Sequence, residues 1–365
     1  MEEKKIQLEH HYYKELIEDD GAWREMQSKY EMFTASERKA LLDKPSGYSE
    51  DEIYAVTAVD GDKIVGGHIL FTTRVKLCEE MVIAQTGTYL YSKEEYQKQN
   101  VGAFVFFDSM RLRQSKNGLY YGISQMALGL YKALKFNVFE YPRLIYLKKS
   151  RSVVERVFRT NSVVIKPLVL IGDLLLKIHR NILSRFDGLK GYKVEETINV
   201  PDEVIDIINA DTHPFSELHD KAWFEWVLNG TFREDSTIKR KLFVVKKNDK
   251  TVAFFATKQE FLEQASSRGF KNVTLGTIME WGIAVDSELT EDKLYVLAIR
   301  TFTDEIDAIQ VAATEDGIVG RLKKKLFVQV GYCNMAVKIK EPKIDDIGDK
   351  PKWRYRIGGG GIFID

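Results

Sequence analysis

Cysteine is almost missing from this chain of 365 residues: Cys78 and Cys333 stand far apart and alone. That excludes a disulfide framework and a cysteine-based metal cluster, and makes the reducing cytoplasm the expected compartment. Histidine is scarce too, with six residues, none at an HExxH spacing, so no metal is expected. GxGxxG, GxxxxGK[ST] and GxSxG are also absent. The first twenty residues are polar, with no apolar stretch, so no secretory leader is expected. Net charge is lacking as well, since 54 Lys and Arg balance 54 Asp and Glu. A general nucleic-acid binder carries a basic excess, which disfavours that class. What is present is core material: 44% of residues are apolar and 12% aromatic. At about 100–200 residues per domain, the length predicts two domains.

A repeat supports that number. Residues 53–60 (IYAVTAVD) alternate as a strand does, and with Lys63–Phe71 after Gly61-Asp62 they read as a hairpin with an Asp60-Gly61 turn. Residues 242–247 (LFVVKK), Asn248-Asp249, and 251–258 (TVAFFATK) read as a second hairpin, 187 positions on. Further strands at 86–92 and 276–285, helices at 101–114 and 290–305, and strands at 119–124 and 306–314 follow in the same order. Short helices then end at Phe136 and Phe327, 191 apart, each before a last strand. The pattern predicts one α/β mixed-sheet fold used twice in tandem. The expected division is 1–150, a connector at 151–190, and 191–365.

The stretch 143–190 holds eleven basic residues against three acidic ones, a surplus of eight that the rest of the chain cancels. Within it, Leu168, Ile171, Leu175, Ile178, Ile182 and Phe186 fall at helical spacing, with Asp173, Lys177, Arg180 and Asn181 on the other side. Lys166, Asp173 and Lys177 interrupt the run, so it is not a membrane span. The favoured reading is a linker helix whose apolar stripe packs between the two domains. The other is a basic amphipathic helix, residues 167–186, that touches a membrane surface peripherally.

Residues 92–103 form the segment that carries chemistry. They follow a strand and open a helix, where free N–H groups and the helix dipole make a seat for a pyrophosphate. Gly102 lets the backbone approach a ligand, Ala103 adds little bulk, Asn100 tolerates left-handed backbone, and Lys98 adds positive charge. The segment reads Gln97-Lys98-Gln99-Asn100-Val101-Gly102-Ala103 after Tyr96. Downstream stands Ser124-x-x-Ala127-x-x-Leu130-Tyr131-x-x-x-Lys135-Phe136. Together these resemble the GNAT superfamily of acyl-CoA-dependent N-acyltransferases. Its loop reads Gln/Arg-x-x-Gly-x-Gly/Ala and its next helix Asn-x-x-Ala-x-x-Leu-Tyr-x-x-x-Gly-Phe. Asn100, Ser124 and Lys135 stand where the family has Gly, Asn and Gly. The resemblance covers about residues 50–150.

The resemblance implies direct transfer of an acyl group, acetyl first among the candidates, from a CoA thioester to a small amine such as an amino sugar or a metabolite. No covalent enzyme intermediate is needed. Backbone groups of Leu90 and Ser92 are implied to pair with the pantetheine, and residues 97–103 to hold the pyrophosphate. Tyr131 is implied to protonate the leaving thiolate, although it also reads as a core aromatic beside Leu130 and Phe136. No base is set apart among Glu79, Glu80, Glu94, Glu95 and His68. In the second copy, Asp286, Glu288, Glu291 and Asp292 replace the loop and would repel a pyrophosphate, so that copy is not expected to bind CoA. Trp223, Trp226 and Trp281 read first as core residues and second as an acceptor lining. The glycine run 358–361 reads as a flexible tail. Two rival functions remain: a scaffold of the same fold without catalysis, and a transferase that takes its donor group from aminoacyl-tRNA.

Overall fold

Alternation and turn chemistry place the strands. In the computed structural model, which describes residues 6–18, 35–151, 154, 165–186, 188–231, 237–265 and 270–364, β1 (Gln7–Tyr12) runs into α1 (Tyr13–Glu18). Then come α2 (Ala35–Leu42), β2 (Ile53–Asp60), β3 (Lys63–Leu77) and β4 (Glu80–Ser92). A tight helical turn (Glu94–Gln99) leads into α3 (Val101–Leu112), β5 (Gly118–Tyr121), α4 (Leu128–Ala133) and β6 (Asn137–Leu147). Next are α5 (Lys166–Phe186), β7 (Tyr192–Thr197), α6 (Asp202–Asn209), β8 (Phe215–Glu217) and α7 (Lys221–Asn229). The second copy runs β9 (Lys239–Lys247), β10 (Lys250–Ala265), β11 (Phe270–Ile283), α8 (Glu291–Ile299), β12 (Ala308–Ala312), α9 (Asp316–Lys323) and β13 (Val328–Lys338), with β14 (Trp353–Arg354) after it. Of the expected connector, 152–153, 155–164 and 187 lie outside the described residues.

Both hairpins close where the turn residues put them. Gly61 takes φ +62° between β2 and β3, and Asn248 and Asp249 take +52° and +61° between β9 and β10. Left-handed residues in a two-residue turn match the twist of antiparallel strands. The repeat also shows in the backbone of two helix ends. After α4, Lys135 is left-handed (φ +59°) and Phe136 N–H donates to the Tyr131 carbonyl at 3.1 Å. After α9, Leu326 is left-handed (φ +61°) and Phe327 N–H donates to the Leu322 carbonyl at 3.1 Å. This is one helix-terminating motif, made twice, 191 residues apart.

Contacts divide the chain into two compact units that interleave along the sequence. One comprises Met1–Phe139, His213–Asp235 and Asn334–Asp365; the other comprises Glu140–Thr212 and Ser236–Cys333. The contiguous division at 150 and 190 therefore differs from the contact division. The reason is strand pairing. In the first unit β5 pairs antiparallel with the end of β13, from Tyr121↔Met335 to Gly118↔Lys338. In the second, β6 pairs antiparallel with β12, from Leu147↔Ala308 to Arg143↔Ala312. Each copy thus completes its sheet with the last strand of the other.

The first unit orders its strands β1-β2-β3-β4-β5-β13, and β4 to β5 is the parallel step. Val101 and Val105 of α3 pack on Ile53, Val56, Ala58, Val65 and Leu70. Burying one such aliphatic side chain stabilises by about 1.5–3 kcal/mol. The second unit orders its strands β6-β12-β11-β10-β9-β7, with Leu294, Tyr295 and Leu297 of α8 against Phe255, Ile309 and Val311.

The helix α5 corrects the favoured reading of its stripe. Leu168, Ile171, Leu175, Ile178 and Ile182 are exposed. A different side is held, with Leu183 packed on the core of the second unit. Asp173 Oδ1 accepts hydrogen bonds from Ser150 N–H at 2.6 Å and Ser150 Oγ at 2.9 Å, and the His179 ring stacks on Tyr146. A Cβ on Gly172 would meet Ser150 Oγ at 2.5 Å, so the helix lies flush there. Once that side is fixed, the opposite stripe faces solvent. The side chain of Phe186 lies outside the described residues.

Candidate active site

Strand β4 is paired on one side and released on the other. It pairs with β3 from Leu77↔Glu80 to Gly66↔Ser92, but with β5 at Gln85↔Gly118 alone among the described residues. From Thr86 onward it leaves β5. Between Gly67 and Ile69 of β3 the register slips, so that Thr88 to Tyr91 carry one residue too many. Such a bulge bends a strand and increases its twist. Tyr89 sits in it at φ +54°, a conformation that costs an aromatic residue roughly 1–2 kcal/mol. Gly87 is required beside it, because a Cβ would stand 2.6 Å from His68 Nε2 and 2.7 Å from the Ile69 carbonyl.

The expected loop stands at the end of this released stretch. Tyr96 anchors it, its hydroxyl donating to Asp60 Oδ2 at 2.6 Å, and Lys93 N–H donates to the Val65 carbonyl at 2.8 Å. Asn100 is left-handed (φ +58°), with its N–H on the Gln97 carbonyl, and its own carbonyl receives Phe104 N–H. That is a backbone form that glycine takes freely and Asn tolerates. Gln97, Lys98 and Gln99 are exposed, Val101 is buried, and Gly102 and Ala103 are half-buried in the first turn of α3. No side chain caps this helix and its first turn carries no acid. The initial N–H groups of a helix have no partner within it, so this end offers donors and positive potential to an anion. Ser92 and Gly102 come together: a Cβ on Gly102 would lie 3.5 Å from Ser92 Oγ, an ordinary contact.

Tyr131 stands apart from the loop, in an aromatic cluster. Its ring centroid is 4.8 Å from Phe106, 5.2 Å from Tyr120 and 5.4 Å from Phe136. Burial, reinforced by Tyr120, pushes its pKa well above the ordinary tyrosine value. Leu90 of the released strand packs against the same cluster, which ties the strand to Tyr131.

The candidate bases separate. His68 is buried, and desolvation lowers its pKa to about 3, so it is neutral and weakly basic. Glu79 and Glu80 lie at the β3–β4 turn, the far end of a 13-residue strand from Ser92; at about 3.3 Å per residue that is roughly 40 Å. Glu94 and Glu95 are exposed loop charges. Trp223 and Trp226 are core residues: Trp223 stacks on His219 at 3.7 Å, and Trp226 Nε1 donates to the Ala40 carbonyl. Trp281 is half-buried and meets Tyr295 edge-on.

One element escaped the sequence. The glycine run is buried between β4 and β5 rather than free. A Cβ on Gly359 would meet Tyr121 at 2.5 Å, one on Gly360 would meet Tyr121 at 2.7 Å and Thr86 Oγ1 at 3.0 Å, and one on Gly361 would meet Phe71 at 2.6 Å. Only glycine fits at these three positions. The strap is pinned by Glu217, a buried carboxylate that accepts from Gly360 N–H (2.9 Å), His219 Nε2 (3.1 Å) and Thr73 Oγ1 (2.5 Å). Thr86, where β4 leaves β5, keeps a buried hydroxyl with no hydrogen-bond partner among the described residues. The strap therefore shapes the base of the opening. No local pattern marks Glu217: Thr73 and Gly360 lie 144 and 143 positions away in the sequence.

No protein-family model matches the sequence, and no curated protein matches it either. Solved structures do. N-myristoyltransferase from Saccharomyces cerevisiae with bound myristoyl-CoA is 11% identical, covers 92% of this chain and 80% of its own, and gives a TM-score of 0.54. The same enzyme with myristoyl-CoA and inhibitors is 12% identical over 91% of this chain and 80% of its own, at 0.54. A GCN5-related N-acetyltransferase from Anabaena variabilis is 10% identical over 92% of this chain and 73% of its own, at 0.48. The chain has the fold of the acyl-CoA-dependent N-acyltransferases. At these identities the likeness is one of fold. It agrees with the mixed α/β architecture expected from the loop and the repeat.

Proposed function

We propose that the protein is an acyl-CoA-dependent N-acyltransferase. One observation carries the reading: a strand released from its neighbour and bulged at Tyr89 ends in a loop whose helix start has neither side-chain cap nor acid. The released edge suits the amides of a pantetheine arm through Leu90 and Ser92, and residues 97–103 suit its pyrophosphate. In the reaction the amine nitrogen forms a bond to the thioester carbonyl carbon and loses a proton. The tetrahedral intermediate collapses, the C–S bond breaks, and the thiolate takes a proton. Tyr131 is proposed as the donor; its raised pKa keeps it protonated at neutral pH. Donation by a positioned acid contributes about 100- to 10,000-fold to rate.

The donor proposed first is acetyl-CoA and the acceptor a small amine. Likeness to structures that hold myristoyl-CoA favours a long-chain donor as the second reading. Calorimetric titration with CoA, acetyl-CoA and myristoyl-CoA tests both. Micromolar to sub-millimolar binding of CoA is expected, and the acyl form that tightens it identifies the donor class; absence of binding by all three refutes the proposal. Gly102→Glu places a carboxylate at the helix start and is expected to weaken CoA about a hundredfold or more. Unchanged affinity would remove the loop from the site.

A further inference from the structure

Helix α5 packs Leu183 on the core and yet presents a second apolar stripe to solvent. At about 100° per residue, Leu168, Ile171, Leu175, Ile178 and Ile182 fall within an arc of roughly 80°, and each is between 45% and 61% exposed. Leu174, also exposed, widens the arc on one side. The side held by the protein sets Gly172 and Asp173 against Ser150, the His179 ring on Tyr146, and Leu183 on the core of the second unit. A surface helix of a globular domain normally keeps its outward side polar, and a contiguous exposed apolar patch of this kind marks a contact surface.

The charges say what covers it. Leu170, 70% exposed, carries the apolar surface past Leu174, and exposed Lys177 and Lys166 follow it at about 20° and 40° further round, where their stems can lie along apolar groups and their ammonium groups can reach outward. The surrounding stretch 143–190 carries eleven basic residues against three acidic ones. Pairing this face with a second copy of itself would bring like charges together, whereas an anionic lipid surface answers both the stripe and the lysines. Among the described residues no helix is long and apolar enough to cross a membrane. We propose that α5 is a membrane-surface anchor that lies in the headgroup region of an anionic bilayer with its leucine–isoleucine stripe in the acyl boundary.

Flotation of the full chain with vesicles of phosphatidylcholine, with or without phosphatidylglycerol, tests this. Binding is expected to the anionic vesicles and to weaken with salt. Ile171→Ser with Ile178→Ser should reduce partitioning about tenfold per substitution. Lys166→Glu with Lys177→Glu should reduce it at least about fivefold per residue. Thermal melting should be unchanged for both variants, because these side chains touch solvent. Failure of the wild-type protein to float with anionic vesicles overturns the proposal, as does flotation of the stripe variant equal to wild type. So does equal binding to neutral vesicles. A dimer in sedimentation that the stripe substitutions dissociate, without vesicle binding, would assign the face to a second copy instead.

Discussion

Replacing Gly361 by alanine should separate backbone strain from packing in the glycine strap. Gly361 has φ +82°, and its Cβ would stand 2.6 Å from the Phe71 ring. That ring is 2% exposed and meets Trp226 edge-on at 6.1 Å, so it has no free direction of retreat. Gly47, in the same unit, has φ +68°, and a Cβ there would have nothing within 4 Å. Gly47→Ala therefore carries the left-handed cost alone, about 1 kcal/mol. Gly361→Ala adds an overpacking cost of about 1–3 kcal/mol, for a total of roughly 2–4 kcal/mol. Urea unfolding of both variants, followed by tryptophan fluorescence, measures the difference; Trp223, Trp226 and Trp353 all report on this unit. A difference below about 0.5 kcal/mol, near the error of additivity, would refute the tight strap. Gly361→Ala should also weaken CoA, since the strap shapes the base of the β4–β5 opening, while Gly47→Ala should not.

His68 predicts a pH effect. The unfolded chain takes up its proton below about 6.5, whereas the folded protein withholds protonation until about 3. Stability should therefore fall as pH drops through that window, by about 1.4 kcal/mol per unit and roughly 5 kcal/mol in all. His68→Leu should flatten this limb in denaturant titrations from pH 7 to 4, and an unaltered slope would show that the ring is solvated. Tyr131→Phe keeps the aromatic cluster and should leave stability and CoA affinity nearly unchanged while lowering kcat about a hundredfold. Wild-type turnover in steady-state assays would remove Tyr131 from the chemistry.

The hairpins, the repeat and the loop were legible in the sequence because each is local. Alternation with Gly61 or Asn248-Asp249 fixes a turn, and a strand running into Asn100–Ala103 fixes a helix start. Asn100 and Lys135 replace glycines in letter, yet both stand left-handed. What was not legible depends on distant partners. The strand exchange rests on β5 meeting β13 and β6 meeting β12. The glycine run looks like a tail until Phe71, Tyr121 and Glu217 close on it. The periodicity of α5 gave the stripe but not its direction, which Ser150 and Tyr146 decide from the other side.

The asymmetry between the copies is electrostatic. Helix α3 starts with no acid and no side-chain cap. Helix α8 starts with Glu291 and Asp292, both buried. Burial alone would raise the Asp292 pKa, but the hydrogen bond from Arg321 at 2.9 Å and the charge of Lys325 hold it below the ordinary carboxylate value. Glu291 accepts from Tyr295 Oη at 2.9 Å and from Thr314 Oγ1 at 2.6 Å. A helix start attracts negative charge. The second copy supplies that charge from its own first turn and ties it into the core, so an external pyrophosphate would meet two carboxylates. The first copy has no such charge in its first turn. The same fold thus carries opposite electrostatics at the same helix turn in its two copies.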